Sequence, residues 1–552
     1  MSQRVASPGR LFDRREFLKR GGLIGAAAIA GRSVLGCASI HDGTVIPCLG
    51  PALAPSAVSG MTYIRASEIG CALDCDLALG LNKHGGGSAT DDAPRINAAM
   101  ASASADHPIT LIIDGSALIS GLFMPVGGYW SIAGLGCGTG FFIKRGTNND
   151  GIHNGGPNAA VPSDPGPPVP PRGSHVSLSN FTLNGNGTNG GDSTTGLRQG
   201  NQALGVWYYG INLMDLDNIT VENVVVVNTP AYHFRFSNVG NVSVTGCVMQ
   251  SAGLSTDGLH FDGPSNDITI SNCDFTTGDD AIALNAPEGH AGNISRVSVT
   301  NCKFNSWSLM RLDSINCSGC DPKFNVDTVS VSNCTGSLQQ AGFIIGQGAQ
   351  ANPNSVTGLV ISDCSITAPA IIEMAANFGT IELNRITLTA SNARMNPAFT
   401  SPGMGLTRTS AYMAGSTYVG SSLSVNDCVI QRTSNGVTGG FILEYASSIA
   451  NLAINGLSIS DVPGKSYPAM QSLVDAASGS IGNLIITNVD SKLIKAPCQA
   501  AQFSDINTVE GAGVLATGWE FPDSVMANGV PYISATTHQP SIKVNGVVEP
   551  YP

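Results

Sequence analysis

One phrase, repeated along the middle of the chain, constrains the fold more than anything else in the sequence. It alternates apolar and small polar residues, usually reaches Asn or Asp, and then places a small apolar residue. The copies read NVSVTGC ending at Cys247, DITISNC at Cys273, RVSVTNC at Cys302, TVSVSNC at Cys334, GLVISDC at Cys364 and SLSVNDC at Cys428. Weaker copies end at Phe181, Val224, Ile386, Leu457 and Val489, and from Val224 to Ile386 successive copies stand 23, 26, 29, 32, 30 and 22 residues apart. Period-two alternation rich in β-branched residues means strand, with Val, Ile and Leu inward and Ser, Thr and Asn outward. The spacing is too regular for a sandwich and too short for a propeller blade. A unit that cannot bury its apolar face alone must stack on its neighbours. The expectation is an all-β chain, a right-handed parallel β-helix of about ten coils. Its repeated cysteines form a buried ladder of small hydrophobes, in preference to disulfides or metal ligands.

Composition agrees and excludes alternatives. Only 12% of the 552 residues are charged, against about 25% in an ordinary domain, while 67 are Gly and 42% are hydrophobic. Disordered and coiled-coil chains do not look like this. With 27 basic and 39 acidic residues the net charge is −12, so there is no basic surface to neutralise phosphates, and nucleic acid is excluded as a partner.

Residues 1–40 contain Asp13-Arg14-Arg15-Glu16-Phe17-Leu18-Lys19, then an Ala/Gly-rich apolar run from Gly21 to Gly31 that is too short to span a bilayer. This resembles a bacterial twin-arginine export signal, which implies a protein working outside the cytoplasm: periplasmic, secreted, or a membrane-anchored lipoprotein. Val34-Leu35-Gly36-Cys37 resembles a lipobox, with Cys37 as the candidate lipid anchor, although Arg32 stands close by where that pattern prefers no charge.

Residues 41–552 read as a single β-helix domain. Within 60–110, Thr90-Asp91-Asp92 precede PRINAAM, where Ile96, Ala99 and Met100 fall at helical spacing behind an Asp or Thr cap; this helix is expected to close the N-terminal end of the solenoid. Residues 155–205 hold two long loops beside the cleft, one Pro-rich and one Gly/Asn-rich, and residues from about 499 to 552 cap the far end. Cys71 with Cys75 and Cys317 with Cys320 lie off the ladder. Each pair could close a local disulfide after export; zinc is the weaker option, since neither pair has a second pair at ligand spacing.

Two consecutive repeats are followed at the same phase by acidic clusters, Ser255-Thr256-Asp257-Gly258 and Gly278-Asp279-Asp280. Stacked coils bring Asp257 beside Asp279 and Asp280. Three acids gathered in a chain this poor in charge repel one another, so unless a cation or a shared proton offsets that repulsion, at least one carboxyl is raised. Glycoside hydrolysis needs such a set: a protonated acid for the leaving oxygen and an ionised partner for water. Singly, each cluster would read as an ordinary Asp/Gly turn.

Residues 228–285 resemble the core of the polygalacturonase-like family, glycoside hydrolase family 28. The phrases that carry the likeness are NTPAYHF, STDG and GDD, and GGGSATDDAPRINAAM resembles the opening of many pectin-active β-helix proteins. The resemblance implies a pectin-lyase-like fold and an inverting mechanism in which Asp279 is the general acid, while Asp257 and Asp280 hold and deprotonate water. Acid and base are then expected about 6.5–9.5 Å apart.

Departures from the family pattern bear on the substrate. The family's Gly-His-Gly comes about one coil after the double Asp, whereas His290 here follows Asp280 by only ten residues. The family's Arg-Ile-Lys appears as Arg311-Leu312-Asp313, so a cation for a uronate carboxylate is replaced by an acid, and a neutral or only partly acidic α-linked glycan becomes the expected substrate. Alternation turns Arg311, Asp313, His233, Arg235 and His260 outward, and with His290 these are the candidate substrate-binding residues; Trp207, Tyr208, Tyr209 and Trp307 are candidates for stacking on sugar rings. The hydrolytic reading calls for no cofactor and no metal. A uronate lyase or epimerase using Ca²⁺ on the three Asp, or a non-catalytic β-helix surface protein, are the alternatives.

Overall fold

The computed structural model describes residues 60–552 except the stretches 156–168, 188–207, 252–255, 314–323, 347–354, 392–404, 410–417, 434–441, 444–447, 476–478 and 499–505 and a few single positions; before residue 60 it describes only Ile40–His41 and Thr44–Val45. The export signal, the lipobox, Trp207, Ser255 and the Cys317/Cys320 pair therefore lie outside the described residues.

The chain winds into a parallel β-helix with three sheets. The first carries the repeated phrase. Its strands pair in parallel from Thr62–Arg65 and Ile109–Ile113, through the C-terminal halves of Phe234–Thr245, Leu259–Ser271 and Ile282–Thr300, to Ser480–Val489 and Ile506–Glu510. That is a longer solenoid than the ten coils suggested by the repeats, because the coils at both ends carry no clear copy of the phrase. The second sheet follows the ladder, as in Val248–Ser251, Asp274–Thr277 and Lys303–Asn305. In the third, Asn212, Arg235, His260, Ala283 and Arg311 stand in register on one outward row.

Each phrase ends as it does because of one turn. The residue before the ladder position adopts a left-handed conformation in coil after coil: Asn223 at φ 53°, Gly246 at 64°, Asn272 at 54°, Asn301 at 56°, Asn333 at 54° and Asp363 at 54°. Asn, Asp and Gly tolerate this region and β-branched residues do not. The turn drops the next side chain into the core, where Cys247, Cys273, Cys302, Cys334, Cys364 and Cys428 are all buried and free. The ladder Phe181, Val224, Cys247, Cys273, Cys302, Cys334, Cys364, Ile386, Cys428, Leu457 follows from the register of the flanking strands.

Cys71 and Cys75 are also free, so the local disulfide that this pair could close is not formed. Cys71 packs with the main core and Cys75 with a separate cluster around Leu77 and Phe142. Helix Ala93–Met100 forms where the spacing puts it and buries Ala93, Ile96 and Met100. Asp92 does not cap it: its carboxylate accepts from the Ala72 and Leu73 N–H groups at 2.7 and 3.0 Å, while Asp91 accepts from Ala93 N–H at 3.2 Å. At the other end, Pro531–Ser534, Pro540–Val544 and Val547–Pro550 form a small antiparallel sheet, and Trp519, Phe521 and Tyr532 pack into the main core.

Candidate active site

The acids sit where the chain turns into the third sheet. Backbone hydrogen bonds from His233 N–H to Asp257 O (2.9 Å), Gly258 N–H to Asp280 O (3.1 Å) and Ala281 N–H to Ser308 O (3.0 Å) bring Asp257, Asp280 and Ser308 together in successive coils. Asp279 precedes Asp280 in the same turn, with its carbonyl held by Trp307 N–H and the Thr277 hydroxyl, each at 3.0 Å. All three acids are buried, and each offers a carboxylate oxygen within 4.8 Å of the others. Adjacent strands lie about 4.7–4.9 Å apart, so residues separated by 22 positions meet through stacking alone.

The three environments differ. Asp280 accepts from Ser308 Oγ at 2.6 Å and from Arg311 Nε at 2.6 Å, which fixes it as a carboxylate. Asp257 is fully buried, with Oδ2 at 2.7 Å from His260 Nδ1 and no hydrogen-bond partner on Oδ1 among the described residues. Burial first, then the charge of Asp279, pushes its carboxyl up to about 7, against the pull of the His260 hydrogen bond. Asp279 is the most exposed of the three, at 7%.

The gap of about 6.5–9.5 Å expected between acid and base is not present between the nearest oxygens. The coil spacing sets a shorter distance. Two oxygens within 4.8 Å can still share one water at about 2.7–2.8 Å from each.

The other candidates face outward from the coil, as alternation requires, yet the structure encloses most of them. Arg311 is buried against Asp280, so its guanidinium is committed to that carboxylate where a sugar was expected. Arg235 is buried against Asp262 and lies over the Tyr209 ring, 5.5 Å from its centroid. His233 is buried with Nδ1 2.8 Å from Asp257 O, and burial pushes its pKa down to about 4, leaving it neutral. His260 has no exposed surface and a carboxylate at each ring nitrogen. His290 is buried within strand Ile282–Thr300 and points Nε2 at Asp215 Oδ1, 3.0 Å away. The backbone of Asp313 pairs with Asn285. Tyr209 is buried, with Tyr232 stacked on its ring at 5.2 Å and Arg235 over the ring; Tyr208 and Trp307 are only half-buried.

Sequence reasoning missed Ser308, Asp262, Glu288 and Tyr232. Asp262 shares the outward parity of His260 and could have been found by that signal. Glu288 could not: the register jumps from Asp262↔Asn285 to Gly263↔Gly289, and the extra residues of that bulge carry Glu288 back over His260, with Oε2 at 3.1 Å from Nε2.

Residues 174–345 match the family model described as glycosyl hydrolases family 28, a stretch that includes every site candidate named above. No curated protein matches the sequence. Among solved structures, the family 28 exopolygalacturonase of Yersinia enterocolitica aligns with a TM-score of 0.52 at 12% identity, covering 79% of each chain. The tailspike protein gp49 of Pseudomonas phage LKA1 aligns at 0.48 and 13% identity, covering 81% of this chain and 84% of its own. PfbA, a surface adhesin of Streptococcus pneumoniae, aligns at 0.45 and 12% identity, covering 88% and 98%. The chain is therefore similar in sequence to glycosyl hydrolases family 28 across the coils that carry the three acids, and similar in fold to an enzyme of that family.

Proposed function

We propose that this protein is an exported glycoside hydrolase that cleaves an α-linked, neutral or only partly acidic glycan with inversion. The observation that carries the reading is the meeting of Asp257, Asp279 and Asp280 in three different environments within 4.8 Å. Asp279, the most exposed, donates its proton to the leaving glycosidic oxygen as that C–O bond breaks. Asp257 and Asp280 hold the water whose oxygen bonds to the anomeric carbon, and Asp257, with an unoccupied Oδ1, takes the water's proton. Asp279→Asn should abolish turnover while leaving folding and glycan binding nearly intact, measured on a panel of α-linked neutral and acidic polysaccharides. Near-normal rates would overturn the assignment. The close spacing of the carboxylates also suits retention, so NMR of the first-formed anomer decides the stereochemistry: the inverted anomer supports our reading and the retained one replaces it.

The acid-rich setting supports the substrate class. Both arginines on the outward row next to the triad are paired with buried carboxylates, Arg235 with Asp262 and Arg311 with Asp280. Arg311 beside Asp280 also offsets the charge that a Ca²⁺ ion would otherwise neutralise, which disfavours the lyase alternative. We read residues 1–40 as the export signal, Cys37 as a candidate lipid anchor and helix Ala93–Met100 as the N-terminal cap. Replacing Arg14 and Arg15 with Lys should trap the protein in the cytoplasm in a cell fractionation.

A further inference from the structure

His260 lies directly behind Asp257 and is surrounded by charge. Its Nδ1 is 2.7 Å from Asp257 Oδ2, and its Nε2 is 3.0 Å from Asp262 Oδ1 and 3.1 Å from Glu288 Oε2. Tyr232, on the coil before, stacks flat on the ring at 3.9 Å and 9°. Arg235, also on the coil before, pairs with Asp262, and Asn285, on the coil after, donates to Glu288 Oε1 at 3.0 Å. A ring with a carboxylate at each nitrogen donates at both, which makes it an imidazolium. Although burial opposes that charge, the hydrogen bonds to Asp257, Asp262 and Glu288 hold the ring well above its usual pKa.

Asp257 in turn faces Asp279 and Asp280 from the next coil, with Arg311 and Ser308 on the far side of Asp280, and a neutral His233 on its own carbonyl. Of Asp257 and Asp279, Asp257 is the more deeply buried, so burial alone would place a shared proton on it and leave the site without its base. The His260 ring, 2.7 Å from Asp257 Oδ2, works against that order by pulling down a carboxyl that burial and Asp279 push up.

We propose that His260 is a positioning residue for Asp257: clamped by Asp262 and Glu288, it keeps Asp257 ionised, so that the proton shared within the triad rests on Asp279. The cycle then closes without outside help. Hydrolysis leaves Asp279 as carboxylate and Asp257 as acid, and the proton returns from Asp257 to Asp279 because His260 makes Asp257 the weaker holder. This inference rests on the hydrolase reading above.

The test compares the pH dependence of kcat/KM for wild type, His260→Gln and Glu288→Gln on whichever polysaccharide of the panel is cleaved fastest. The acidic limb reports ionisation of the base in free enzyme. Losing a cation beside a carboxylate raises its pKa, so His260→Gln should move that limb upward by about one to three pH units, with activity recovered at higher pH and KM nearly unchanged. Glu288→Gln, at a side chain 45% exposed and safe for folding, should move it the same way by a smaller amount. A pH-independent loss in His260→Gln, or an unmoved limb in both variants, overturns the proposal. Independently of activity, ring ¹⁵N shifts of labelled histidine should show His260 still doubly protonated at pH 7; a neutral ring overturns it. An active Asp279→Asn would sink the hydrolase reading itself, whereas an inactive Asp279→Asn with an unmoved limb sinks only the role of His260.

Discussion

Arg311 and Asp280 form a nearly unexposed ion pair one coil apart, and the Ser308 hydroxyl occupies the other carboxylate oxygen. Removing one partner of such a pair leaves a buried charge uncompensated, which costs about 3–5 kcal/mol. Arg311→Met should therefore lower the unfolding free energy by about that amount in urea denaturation and also lower kcat. Arg311→Lys should recover only part, since an ammonium is a point charge without the planar guanidinium fork. Had Arg311 been a substrate ligand, Arg311→Met would instead raise KM in a protein of unchanged stability. The difference marks the limit of what could be read from residues in a line. Alternation places Arg311, Arg235 and His260 on the outer row, and two acidic clusters at equal phase are enough to bring Asp257 to Asp279 and Asp280. Which carboxylate each cation meets depends on the lateral reach of long side chains between coils and on the bulge that returns Glu288 to His260. Neither leaves a period in the sequence.

At the scale of the single coil, the conformation before each ladder position matters more than the ladder residue itself. Asn301 sits at φ 56° immediately before Cys302. An L-residue pays roughly 1–2 kcal/mol in this region, more when β-branched. Asn301→Val should thus cost at least about 1–2 kcal/mol in chemical denaturation, while Asn301→Gly should be close to neutral. Because Cys247, Cys273, Cys302, Cys334 and Cys364 are at most 2% exposed, mass spectrometry after treatment with a thiol reagent should find them unmodified in the folded protein and labelled in denaturant. The repeated phrase made these coils legible, because the left-handed turn demands Asn, Asp or Gly and the core demands a small apolar residue after it. The first coils are built differently and were not legible. There Gly140, at φ 145°, lies so close to the next coil that a side-chain carbon would sit 1.9 Å from Thr182 O. Close backbone approach adds a second constraint there to the alternation that Trp130, Ile132, Val176 and Leu178 still keep, and it leaves only a glycine behind.

The whole molecule carries a net charge of −12, and its candidate site concentrates the imbalance: Asp257, Asp262, Asp279, Asp280 and Glu288 face Arg235, Arg311 and His260. A polyanion approaches such a protein against its field, and at contact each sugar carboxylate meets cations already paired with buried acids. Unit charges about 4 Å apart at an effective dielectric near 20 interact by roughly 4 kcal/mol before screening. A third of that is about tenfold in affinity. We therefore expect negligible activity on polygalacturonate and measurable activity on a neutral or partly acidic α-glycan. Salt separates this field effect from a mere lack of fit, because the Debye length falls from about 30 Å at 0.01 M to about 3 Å at 1 M. The kcat/KM on a neutral glycan should be nearly constant over that range, whereas any residual activity on polygalacturonate should rise with salt. If polygalacturonate were hydrolysed efficiently, and faster at low salt, a cation would have to leave its buried partner to receive the substrate. Arg311 is the group that could do so, at the expense of Asp280.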